Sequence, residues 1–77
     1  MTRQEVLELM CEAARLPSGS IHGHEMLDAV PGWDSLAGVD FEMVLLDRWD
    51  VELDPMKVTE AETVGDILAL LRHRIEG

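Results

Sequence analysis

Apolar residues recur at helical spacing in three segments of this chain, and polar residues occupy the positions between them. The first segment carries its apolar side chains on one face: Val6, Met10, Ala13 and Ala14, with Leu7 and Leu9 at the margins. Its opposite face is polar and contains Glu5, Glu8, Glu12 and Arg15. This pattern predicts an amphipathic helix over residues 3–15, which begins with a capping box of Thr2 and Glu5 and ends before Pro17.

Three further helices are predicted after a long loop. The next periodic segment predicts a helix over residues 35–49, with Asp34 or Ser35 as its N-cap. Asp54 followed by Pro55 is typical of the cap and first residue of a short third helix. The last helix should begin at Thr63, with Asp66 as capping partner, and bury one apolar stripe: Val64, Ile67, Leu68, Leu71 and Ile75. Three basic side chains at the carboxyl end of that helix should interact favourably with the negative end of its dipole: Arg72, His73 and Arg74.

The loop over residues 17–34 contains three glycines and two prolines and shows no sustained periodicity. Because long loops in small domains usually need anchors, four apolar residues are predicted to pin it to the core: Ile21, Met26, Leu27 and Val30. A short helical turn is predicted over residues 25–29. No segment alternates like a β-strand, so the sequence predicts one all-α domain over residues 1–77. Its fold should be a four-helix bundle, with three main helices, one short helix and a long first loop.

The predicted second helix has two apolar faces. Phe41, Leu45 and Trp49 follow at i, i+4 and i+8 and should face the core. The opposite side carries a strip of apolar residues with two acids among them, called here the outer strip: Leu36, Val39, Met43 and Leu46, with Asp40 and Asp47. An apolar strip bordered by carboxylates is typical of a docking surface for a basic partner. Burial of both faces is the alternative, against which the cost of burying Asp40 and Asp47 argues.

Composition narrows the function. The chain has 16 acidic and 6 basic residues, a formal net charge of −10, which disfavours binding to nucleic acid or anionic membranes and favours basic partners. Its 77 residues leave no room for a second lobe or a deep catalytic cleft. The single cysteine, Cys11, is predicted to be a buried hydrophobic residue. With no export signal or disulfide framework, the cytoplasm is the expected location, and the apolar runs are too short to span a membrane.

Ser35 begins the predicted second helix, and the residues around it suggest three kinds of chemistry: hydrolysis, metal binding and attachment of an anionic group. A hydrolase is disfavoured because Trp33 and Ala37 stand where a nucleophile elbow needs glycine. A metal site among His22, His24, Glu25 and Asp28 has little specificity, and solvated loop histidines are the better interpretation, so no metal site is predicted. Ser35 as a simple helix cap stays open. A serine at a helix amino end also places its hydroxyl where the helix dipole favours an anion, such as a phosphodiester.

The segment "GWDSL", followed by "AGVDFEMVLLDRWDVEL" and "TVGDILALL", resembles the acyl carrier protein family. That family includes carriers of fatty-acid and polyketide synthesis and the related peptidyl and aminoacyl carriers, and its fold is a four-helix bundle with a long first loop. The resemblance implies that Ser35 carries 4′-phosphopantetheine and that Asp34 assists recognition and metal-dependent transfer by a phosphopantetheinyl transferase. It also implies that five residues contact partner enzymes: Leu36, Val39, Asp40, Met43 and Asp47.

The function implied is that of a non-catalytic monomeric carrier, which holds an acyl or aminoacyl group as a thioester. Its partners would be the transferase and the loading enzymes, synthases or transferases with basic docking surfaces. Two short stretches depart from the family's patterns. Ala37 and Gly38, which follow Leu36, differ from the fatty-acid pattern. Gly32 and Trp33, which precede Asp34, differ from the peptidyl pattern. These departures favour a free-standing carrier of a specialised polyketide, nonribosomal peptide or fatty-acid-like pathway. The cargo stays open, and an acidic helical interaction module that never receives the arm is the alternative.

Overall fold

The computed structural model describes residues 1–76 and contains four α-helices. These are α1 (Arg3–Ala14), α2 (Ser35–Trp49), α3 (Pro55–Glu60) and α4 (Val64–Leu70). A 3₁₀ turn over Leu27–Ala29 interrupts the long loop between α1 and α2. The described residues form no β-strand, only two isolated bridges. The prediction of a small all-α bundle with a long first loop is therefore confirmed.

Side-chain caps set the helix starts, as the sequence predicts. In α1, the Thr2 hydroxyl accepts a hydrogen bond from the Glu5 amide at 3.1 Å, and the Glu5 carboxylate accepts one from the Thr2 amide at 2.8 Å. The same capping box recurs in α4 with Thr63 and Asp66. Asp54 caps α3 by accepting from the Met56 amide at 2.9 Å. Each cap satisfies amides that the first helical turn leaves unpaired.

The end of α4 differs from the prediction. The helix stops at Leu70, and turns follow over residues 71–74, although Leu71 is buried as expected and Ile75 is half-buried. The Arg74 guanidinium donates to the carbonyl oxygen of Trp49 at 3.3 Å, so it caps the end of α2 rather than that of α4. Beyond these turns the Glu76 amide donates to the Met1 carbonyl oxygen at 2.8 Å. The earlier end of α4 allows this return of the chain to its beginning.

The core lies between α1, α2 and α4, with contributions from the loop. Its largest fully buried side chains include Phe41 and Leu45 of α2, which confirms the predicted inner face, while Trp49 is half-buried. Cys11 is buried, also as predicted. Of the four predicted loop anchors, three are buried: Ile21, Leu27 and Val30.

The fourth anchor, Met26, was wrongly predicted, because its side chain is 48% exposed. Its neighbours hold the backbone to the start of α4: the Leu27 amide donates to the Glu62 carbonyl oxygen and the Val64 amide to the Glu25 carbonyl oxygen, both at 2.9 Å. Successive side chains of such an extended segment point in opposite directions. Burial of Leu27 therefore turns Met26 outward.

Glu25 organises the middle of the long loop. Its carboxylate accepts hydrogen bonds from the backbone amides of His22 at 2.7 Å and Gly23 at 2.8 Å, and it lies 3.1 Å from Nδ1 of His22. Desolvation opposes ionisation of this carboxyl group, yet these hydrogen bonds outweigh it and lower the pKa of Glu25 to about 2. The ionised carboxylate of Glu25 therefore holds the middle of the loop together by accepting several hydrogen bonds.

We expect Glu25→Gln to lower the melting temperature at pH 7 and to lose this effect in acid. The pKa of Glu25 is lowered from 4.5 to about 2 in the folded chain, so its ionisation stabilises the fold above pH 4.5. That contribution disappears as the pH falls from 4.5 to about 2. Thermal unfolding of both proteins across this range measures the difference, with Glu60→Gln on the exposed surface of α3 as control. A difference that persists unchanged toward the lower pH contradicts the prediction.

None of the helices within residues 1–76 has the length and apolar character needed to cross a bilayer.

Candidate functional site

Ser35 is exposed and is the first residue of α2. The residue before it, Asp34, has extended backbone geometry, and its Oδ1 accepts a hydrogen bond from the Ala37 amide at 2.8 Å. Of the two candidate caps, the structure therefore uses Asp34. Because the cap does not need the Ser35 hydroxyl, the interpretation of Ser35 as a simple N-cap is wrong.

The chain before Asp34 is held in place by contacts with α1 and α2. Gly32 has a φ of 78°, in the left-handed region, and a Cβ at this position would clash with the carbonyl oxygen of Ala14 at the end of α1. The next residue, Trp33, packs edge-on against the ring of Phe41, with the two ring centroids 5.8 Å apart. Gly32 and Trp33 thus fix the point at which α2 begins, and with it the position of Ser35.

A groove with a volume of about 440 Å³ runs beside Ser35, between α2, α3 and the loop; we call it the Ser35 groove. From α2 it is lined by Ser35, Gly38, Val39 and Glu42. On the other side lie Pro55, Val58 and Thr59 of α3, with Leu27, Asp28 and Trp33 of the loop. A methyl group at Gly38 would lie 3.6 Å from Cγ1 of Val58, an ordinary contact, so close packing does not require glycine at this position.

The outer strip is exposed. The exposed fractions are 62% for Leu36, 49% for Val39, 64% for Met43 and 48% for Leu46. Among them, Asp47 is exposed and Asp40 is half-buried. The alternative in which both faces of α2 belong to the core is therefore wrong. An apolar surface of this kind, bordered by carboxylates, has the composition expected of a site for a partner protein.

Several residues that line the Ser35 groove were not predicted from the sequence, above all Glu42, Val58 and Trp33. One signal was available, because Ser35, Val39 and Glu42 stand at i, i+4 and i+7 and must share a side of α2. The partners across the groove come from distant parts of the chain and leave no local pattern.

The pKa of the Glu42 carboxyl group is raised. Desolvation is the larger cause, and the nearby negative charge of Asp54 is the smaller one.

The loop histidines lie apart from this groove, and no histidine lines it. The rings of His22 and His24 stack with their centroids 5.9 Å apart, and both side chains are exposed. His22 contacts Glu25, whereas Asp28 lines the Ser35 groove. Within residues 1–76 no group of three or more histidine, cysteine or acidic side chains is placed to hold a metal ion.

No protein-family model matches this chain, and no curated protein gives a significant match to it. Its function is therefore inferred from Ser35 and the surfaces around it.

Proposed function

We propose that this protein is a carrier that holds an acyl or aminoacyl group as a thioester on 4′-phosphopantetheine attached to Ser35. The observation that carries the proposal is the exposed Ser35 hydroxyl at the first residue of a 15-residue helix, left free by Asp34, which makes the cap. The resemblance of Asp34, Ser35 and Leu36 to the carrier motif supports the same assignment.

The surroundings of Ser35 fit such a group. Ser35 is exposed, which supports access by a modifying enzyme. A phosphodiester on this oxygen would lie at the amino end of α2, where the helix dipole favours negative charge. When bound, the arm supplies a thiol that holds a carboxylic acid in an activated form. Within this chain, Asp34 keeps the helix start in place and Trp33 and Val39 offer apolar contacts beside it.

The outer strip supports a role in binding partner enzymes. Leu36 and Met43 present the most exposed apolar side chains of α2, and Asp40 and Asp47 lie beside them. Apolar contact of this kind provides affinity, while the carboxylates favour partners with basic surfaces. The net charge of −10 adds long-range attraction toward such surfaces. We assign the phosphopantetheinyl transferase and the loading enzymes to this strip.

The carrier proposal is tested by mass spectrometry of the intact chain. Incubation with coenzyme A, Mg²⁺ and a transferase of broad specificity should add the mass of one phosphopantetheine group. Fragmentation of the modified peptide should place the group on Ser35. An unchanged mass, or a group located on another residue, would contradict the proposal.

Met43→Glu should slow modification by the transferase without unfolding the chain. The side chain is 64% exposed, so the substitution removes an apolar contact with the partner but no core packing. Loss of a contact worth about 1 kcal/mol corresponds to a roughly fivefold fall in kcat/KM. Met26→Glu, at a methionine that is 48% exposed in the loop, is the matched control and should keep the wild-type rate. Equal slowing by both substitutions would contradict a specific role for the outer strip.

A second function is favoured by the outer strip itself, which needs no prosthetic group. An acidic helical interaction module would present the same exposed residues to a basic partner. The two functions differ in the mass experiment, since only the carrier gains the arm. An unmodified chain whose partner binding is still weakened by Met43→Glu would favour the module.

A further inference from the structure

The described residues expose six large apolar side chains, and three of these are methionines. The exposed fractions are 64% for Met43, 68% for Met56 and 48% for Met26, whereas Met10 is fully buried. The single cysteine, Cys11, is only 1% exposed, so its thiol does not compete with these methionines for an oxidant in the solvent. The three exposed thioethers are therefore the most accessible sulfur atoms of the chain.

Of these three methionines, only Met43 belongs to the outer strip. It follows Val39 by four residues and precedes Leu46 by three, so these side chains share one side of α2. Met26 lies in the long loop, and Met56 lies in α3. Oxidation of all three methionines would therefore change the outer strip at one position.

The outer strip offers no hydrogen-bond donor to an oxidised methionine. The shallow depression around Met43 is lined by Val44, Leu46 and Asp47 as well. None of these side chains donates a hydrogen bond at neutral pH, because the carboxylate of Asp47 only accepts. Methionine sulfoxide is polar, and its oxygen is an acceptor. A partner that covered it would leave that oxygen without a donor from this chain, which is costly.

Donors lie on the other side of Met43, in the groove between α1 and α2. This groove has a volume of about 330 Å³, and its lining includes Met43, Arg15 and Arg48. The Arg48 guanidinium lies 3.4 Å from a carboxylate oxygen of Glu12, and such an exposed ion pair contributes little stability. A sulfoxide that accepts a hydrogen bond from this chain would therefore turn toward α1 and away from the strip.

We propose that Met43 is a modification site, and that its oxidation by a peroxide weakens docking at the outer strip. The sulfur lone pair attacks one oxygen of hydrogen peroxide, the O–O bond breaks, and the sulfoxide forms while water leaves. Sulfur loses the two electrons that the peroxide gains. A dithiol reductant reverses the change, because the sulfoxide oxygen leaves as water and the dithiol becomes a disulfide. This inference rests on the proposed function, which assigns the transferase to the outer strip.

The test treats the protein with hydrogen peroxide and removes the excess with catalase before the transferase is added. Peptide mass spectrometry should find one added oxygen atom on Met43. Circular dichroism should show unchanged helix content, because Met10 is fully buried. Calorimetry without coenzyme A should show roughly fivefold weaker binding of the oxidised chain to the transferase. Methionine sulfoxide reductase with a dithiol should restore the affinity.

Two variants assign the effect to a single sulfur atom. In the chain that combines Met26→Leu with Met56→Leu, Met43 is the only methionine left with an exposed fraction near one half or more, and peroxide should weaken binding by the same factor. In Met43→Leu, the affinities before and after peroxide should be equal, whatever the affinity of the variant itself. No added oxygen on Met43, or an equal loss of affinity in Met43→Leu after peroxide, would overturn the inference.

Binding and modification keep the two proposals apart. Failure of both the reduced and the oxidised chain to gain phosphopantetheine would count against the carrier function, while the calorimetric comparison would still decide the effect of oxidation. If the reduced chain gains the arm and oxidation changes neither affinity nor rate, only the redox inference is overturned. A reduced chain that does not bind the transferase would also overturn it, because the outer strip would then not be the binding surface.

Discussion

Ser35→Ala should abolish the addition of phosphopantetheine while leaving the fold unchanged. The substitution removes the only oxygen to which the proposed phosphodiester can attach at this position. Asp34, which caps α2 through the Ala37 amide at 2.8 Å, stays in place. Because Ser35 is exposed, the change in the free energy of unfolding should be within about 0.5 kcal/mol. Intact-mass spectrometry after incubation with the transferase, together with thermal unfolding, measures both effects.

The chain provides its own control for this substitution. Its other serines, Ser18 and Ser20, are exposed in the long loop, away from any helix start. Ser20→Ala should therefore be modified at the wild-type rate. A mass gain that persists in Ser35→Ala and disappears in Ser20→Ala would show that Ser20 is the attachment site. That result would contradict the carrier proposal.

Phe41→Ala should cause the largest loss of stability. The ring of Phe41 is fully buried, packs at the centre of the core and supports Trp33 at a centroid distance of 5.8 Å. Removal of a buried phenylalanine side chain costs about 3–5 kcal/mol. Domains of this length have unfolding free energies of roughly 4–12 kcal/mol, so a large part of the stability would be lost. We expect the melting temperature to fall by ~12 °C or more.

Leu46→Ala is the control on the same helix, because Leu46 is 48% exposed on the outer strip. It should lower the unfolding free energy by no more than about 1 kcal/mol, which is typical of an exposed position. Denaturant unfolding followed by circular dichroism measures both variants. Similar losses for Phe41→Ala and Leu46→Ala would mean that the two faces of α2 were assigned incorrectly.

Helix positions could be predicted well because their determinants are local. The range of α2, Ser35–Trp49, agrees with its prediction, and the capping boxes of α1 and α4 occur at the predicted residues. A cap needs only a side chain and an amide a few residues away, so both are visible in a short piece of sequence. The two faces of α2 likewise follow from spacing alone.

Features that depend on distant residues were missed. The end of α4 at Leu70 is accompanied by turns and by the Arg74 contact with Trp49, 25 residues away. The outward direction of Met26 follows from backbone pairing with the start of α4. The Ser35 groove is formed by α2, α3 and the loop together, so its shape and volume could not be deduced from any one segment.

For the candidate site, the sequence pointed to Ser35 as a candidate but left its local role open. Both Asp34 and Ser35 can cap a helix, and their positions in the sequence do not distinguish them. Only the hydrogen bond from Ala37 to Asp34 assigns the cap and frees Ser35. The carrier proposal depends on the Ser35 hydroxyl, which the cap does not use, and on the resemblance of the surrounding motif to that of carrier proteins.

The pairing of Glu76 with Met1 brings the first and last described residues side by side. A short flexible peptide could therefore join them into a ring without moving a helix, and the joined chain would lose less conformational entropy on folding. New ends could be opened at Gly19, where the loop is exposed and a Cβ would meet no atom within 4 Å. Such a circularly permuted protein should keep the structural environment of Ser35 unchanged.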